Sequence, residues 1–102
     1  MKLQTLIERF NNEAYYCHTL AIQANRPEYR EAYDKRATAI EEVMQYLKDG
    51  GDLKEVYNEI LERFVGFTYY LDKQQIDGTC KSSDIAYHTT LRWILDSIEE
   101  VR

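Results

Sequence analysis

The sequence predicts an all-α protein, an antiparallel up-down four-helix bundle, on three observations. Apolar residues recur at alternating steps of three and four in four stretches, turn-forming residues interrupt that pattern three times, and no alternating apolar and polar run competes with it. Helices are expected at about 3–25, 27–49, 53–75 and 83–101 of the 102 residues. The short connections favour antiparallel neighbours, and the length suits one helical domain spanning 1–102.

The first stretch carries Leu3, Ile7, Phe10, Ala14, Cys17, Ala21 and Ala24 on one stripe. Asn25-Arg26-Pro27 ends it, because proline cannot continue a helix but suits the first turn of the next, with Asn25 or Arg26 at the cap. The second helix carries Tyr29, Tyr33, Ala37, Ile40, Met44 and Leu47, and stops at Asp49-Gly50-Gly51, where glycine can turn left-handed. Asp52 and Glu55 have the spacing of a capping box and open the third helix, whose stripe is Leu53, Tyr57, Ile60, Phe64, Phe67 and Leu71. After the 76–81 loop, Ser82 or Ser83 is expected to cap the fourth helix, with Asp84 set against its dipole. Tyr87, Leu91, Ile94, Ile98 and Val101 complete the pattern, and the nine tyrosines read mostly as bundle packing.

Thirteen basic and eighteen acidic residues give a net charge of −5, and no quarter of the chain is net positive. That is the wrong sign for holding phosphate backbones, so no direct nucleic-acid contact is expected. No apolar run reaches the ~20 residues of a membrane span, and no cationic segment leads an apolar one at the start, so a soluble, cytoplasmic protein is expected. Two cysteines do not make a disulfide scaffold.

Three groups of residues invite chemistry. Cys17, His18, Cys80 and His88 are of types that bind zinc, and the topology brings them toward one pole. Cys17 and His18 diverge by ~100° on their helix, however, and no C-x-x-C or H-x-x-x-H spacing prearranges ligands, so no metal or cofactor is expected. Glu28-x-x-Glu31 and Glu59-x-x-Glu62 together resemble the ExxE and ExxD pairs of the MazG-type all-α nucleoside triphosphate pyrophosphohydrolases. That resemblance implies magnesium held by those four carboxylates and hydrolysis of a nucleotide; read from the residues, they are a solvated face with basic neighbours. A di-iron type site needs Glu three residues before His, which neither His18 nor His88 has.

The third group is a surface. Trp93 lies about 200° around its helix from Leu91, which predicts an outward indole among Ala86, Thr89, Thr90 and Ser97. Val65 and Tyr69 fall on the outer side of the third helix, and Tyr15 and Ile22 align a heptad apart on the first. A tryptophan among small residues is the composition of a binding hot spot. Gly66, inside a helix at a cost of ~1 kcal/mol relative to alanine, marks a close approach by a helix or partner, or a kink. The residues expected at an interface are therefore Trp93, Tyr69, Val65, Thr89, Thr90, Tyr15 and Ile22, with no catalytic residue. The function expected is that of a small acidic, non-enzymatic module that binds a protein partner or a second copy of itself. By analogy of size and pattern, such bundles look like inhibitors or accessory proteins of phages and mobile elements, or like bacteriocin immunity proteins.

Overall fold

The computed structural model describes residues 2–101, and every regular element among them is helical. The four helices are α1 (Lys2–Gln23), α2 (Pro27–Lys48), α3 (Leu53–Asp77) and α4 (Ser82–Val101), the all-α bundle that the periodicity calls for. Pro27 opens α2, with Arg26 in extended backbone at the cap and no side chain capping it. Gly50, with φ of 93°, turns the chain out of α2. Asp52 caps α3 by accepting from the Lys54 amide at 3.1 Å. The expected capping box does not close, because the Glu55 carboxylate accepts from the Tyr46 hydroxyl. α3 runs two residues beyond expectation to a left-handed Gly78. At α4 the Ser83 hydroxyl, expected as a cap, donates across to Glu31 of α2 at 3.4 Å, while the first turn uses the Lys81 carbonyl.

The cross-helix pairs fix directions. Arg36 and Glu13 link an antiparallel α1–α2 hairpin. Glu31 with Ser83, Lys35 with Tyr87 and Arg36 with Thr90 run in step, so α2 and α4 are parallel. Phe64 and Phe67 meet His88 and Tyr87, which sets α3 antiparallel to α4. In a square up-down bundle α2 and α4 would sit on a diagonal. Here they pack directly, α1 packs chiefly on α2, and α3 packs chiefly on α4. The result is flat, 43 × 31 × 20 Å, with a radius of gyration of 14.2 Å, where a compact chain of this length has about 13 Å.

Side-chain size explains the flattening. α4 buries Ser83, Thr90 and Ser97 along with Leu91, Ile94, Leu95 and Ile98, and small residues at a contact shorten the interaxial distance. α2 and α4 are thus the two inner helices, with α1 outside α2 and α3 outside α4. The core joins Leu6, Phe10 and Ala14 to Ile40, Val43, Met44 and Leu47, to Val56 and Ile60, and to Leu91, Ile94, Leu95 and Ile98. Leu6, outside the expected stripe, is fully buried, while Leu3 is exposed. Tyr29 is also exposed, on the rim of the α1–α2 turn beside Gln23 and Arg26. α3 buries Val56, Ile60 and Leu71, and with one main neighbour it leaves Leu53, Tyr57, Phe64 and Phe67 half-covered.

Candidate interaction surface

Trp93 does not face away from the core. Its half-buried indole sits 5.6 Å from the ring of Phe10, itself fully buried, and the Arg36 guanidinium lies over the indole, 5.5 Å from the ring centroid. Thr90 is 0% exposed and Ser97 is buried, so two of the small residues expected to bed an outward tryptophan lie inside. The physical reason is the flattening: flanked by α2 and α3, α4 buries one continuous arc of about 160°, from Ser97 round to Leu95, and Trp93 lies at its edge. Thr90 and Ser97 lie within the helix packing, while Ala86 is half-covered. Thr89 remains exposed at the edge of this region.

Arg36 is the junction of α1, α2 and α4. Its guanidinium donates to Glu13 Oε1 at 3.2 Å and to Thr90 Oγ1 at 3.3 Å and covers the Trp93 ring. Thr90 in turn donates to the Ala86 carbonyl at 2.6 Å. Beyond the Phe10–Trp93 contact, α1 and α4 leave between them a cleft of about 330 Å³, lined by Tyr16, Leu20, Tyr33 and Ala86 with Cys17, Glu13 and Arg36 deeper in. Burial pushes the Cys17 thiol above its ordinary pKa, with Arg36 opposing, so the sulfur stays a neutral thiol at physiological pH. Among the described residues, no buried side-chain nitrogen or oxygen lacks a hydrogen bond.

The candidate metal and carboxylate groups are dispersed. Cys17 is buried beside Glu13, His18 pairs with Glu41 on the surface at 2.8 Å, His88 stacks on Phe64 at 4.6 Å and bonds Thr68, and Cys80 lies in the α3–α4 loop. Glu28 pairs with Arg26 and Glu31 with Ser83 near the start of α2. Glu59 pairs with Arg63 and lies beside Glu42 near the other end. The fourteen helical steps from position 28 to position 42 correspond to about 21 Å of helix, so the two Glu pairs do not share a cation. Among the described residues no group of three His, Cys, Asp or Glu side chains could hold a metal ion. No helix among them is long and apolar enough to cross a membrane.

What remains is the outer face of α3. Leu61, Val65, Tyr69 and Ile76 fall within about 80° of arc at the helical period, on the side away from Val56, Ile60 and Leu71. Tyr69 is 74% exposed and Ile76 86%. Gly66 lies beside them, also exposed. A Cβ built there would meet nothing within 4 Å, so no helix of this chain approaches it. Leu61, Ile76 and Tyr70 were not singled out from the sequence, although their spacing from Val65 and Tyr69 is visible there. On α1, Tyr15 and Ile22 are both exposed, but their face lacks an apolar residue between them: His18 and Thr19 fill it. No protein-family model matches this chain, and neither curated proteins nor solved structures yield a match.

Proposed function

We propose that the chain is a non-enzymatic protein-binding module that works by occupying a surface of its partner with the outer face of α3. One observation carries this reading: a 25-residue helix that gives one side to its own core presents a second apolar line, Leu61, Val65, Tyr69 and Ile76, to solvent. Contiguous exposed apolar residues mark interaction sites where scattered ones do not, and tyrosine anchors such sites because it covers area at little conformational cost. Acting by occlusion is also how an inhibitor or accessory protein works, the role expected from size and fold pattern. Trp93 is not an anchor in this reading. It serves the junction beneath.

The test starts from capture of a partner from the native host, followed by titration of the purified pair. Tyr69→Asp is expected to weaken binding by at least roughly 30-fold, as loss of a hot spot does, with an unchanged circular dichroism spectrum. Tyr15→Asp, on α1, is expected to leave binding within about twofold. Full affinity in the Tyr69→Asp protein would overturn the reading.

A further inference from the structure

We infer that the occupant of the α3 outer face is a second copy of this chain, packed antiparallel across a two-fold axis; this rests on the recognition reading above. Four exposed residues carry the inference: Glu62, Gly66, Tyr69 and Lys73. Their spacing of four, three and four places them within about 60° of arc on α3, on one line along the helix. A two-fold axis crossing α3 midway between Phe67 and Thr68 sets Tyr69 opposite Gly66 of the second copy. The same axis sets Glu62 opposite Lys73 of the second copy. Each pairing occurs twice, as a self-complementary interface requires.

Both pairings resolve features that the isolated chain leaves without purpose. Gly66 lies inside a helix, where glycine is less favourable than alanine, yet its own fold leaves open space where a Cβ would stand. A tyrosine ring laid over a Cβ-less backbone needs that space. Within the described residues no ion pair engages Glu62 or Lys73, whereas Glu59 is already paired with Arg63. Charges of opposite sign at the two ends of one line favour the antiparallel arrangement and oppose the parallel one, in which like residues would meet. Val65 and Ile76 widen the apolar strip on one side and Tyr70 on the other.

Sedimentation of the full chain tests this, at low salt and from roughly 1 µM to 1 mM, the span over which a small interface dissociates. The wild type is expected to pass from monomer to dimer. Glu62→Lys and Lys73→Glu each create two like-charge contacts and are expected to weaken the dimer about tenfold. The double variant Glu62→Lys with Lys73→Glu restores opposite signs and is expected to return to within about threefold of wild type. Gly66→Ala is expected to raise the melting temperature of the monomer while weakening the dimer. A monomer at every concentration, or a dimer indifferent to these charges, overturns the proposal. If the chain stays monomeric while Tyr69→Asp still abolishes capture of a different polypeptide, the second copy falls and the recognition reading stands. If neither association depends on Tyr69, both fall.

Discussion

Phe10→Ala is expected to destabilise the protein by about 3–5 kcal/mol, the cost of emptying a fully buried aromatic site. Phe10 is 0% exposed and lies where α1 meets α4, with Trp93 tilted against it. α1 and α4 share a limited contact, so little else can close over the void left behind. A domain of this size has on the order of 5–15 kcal/mol of stability, so the variant is expected to unfold at a much lower urea concentration with an unchanged slope. A loss below about 1 kcal/mol would mean that the α1–α4 contact does not organise the core.

Arg36→Ala is expected to cost roughly 2–3 kcal/mol. The substitution removes the donors to Glu13 and Thr90 and the cation over Trp93 at once. Much of the cost comes from what stays behind, because Glu13 is largely covered and keeps a charge without its partner. Adding Glu13→Gln to Arg36→Ala is therefore expected to recover a large part of the loss, and urea denaturation of the two single variants and the double variant measures the coupling. Strict additivity would show that Arg36 and Glu13 act independently.

The helices themselves were legible in the sequence because their signals are local. Pro27 and Gly50 set boundaries through backbone chemistry that tertiary packing does not alter, and three-and-four spacing marked most of the buried residues, while α3 ran past its expected end at 75 to Gly78. Capping details were less legible: Glu55 and Ser83 found partners in α2 that no local pattern announces. The orientation of Trp93 was not legible, for a related reason. A stripe argument assumes a narrow buried face, and that of α4, flanked on two sides, is wide enough to bring Trp93 to its edge. Thr90 and Ser97 carried the clue, since small polar residues beside a core stripe suit close helix packing as well as an open surface. The α3 face was partly legible: Val65 and Tyr69 stood out, while Leu61 and Ile76 complete the line only once α3 is known to pack chiefly through its other side.

Fluorescence of Trp93, the sole tryptophan, tests most directly whether its ring closes the α1–α2–α4 junction rather than serving as a docking anchor. Emission from the native monomer is expected at shorter wavelength than from the urea-unfolded chain, with markedly weaker quenching by acrylamide, and both are expected to move toward the unfolded values in Arg36→Ala. Native emission and quenching equal to those of the unfolded chain would put the indole in water and contradict the packing of Phe10, Trp93 and Arg36 on which the assignment of recognition to α3 depends.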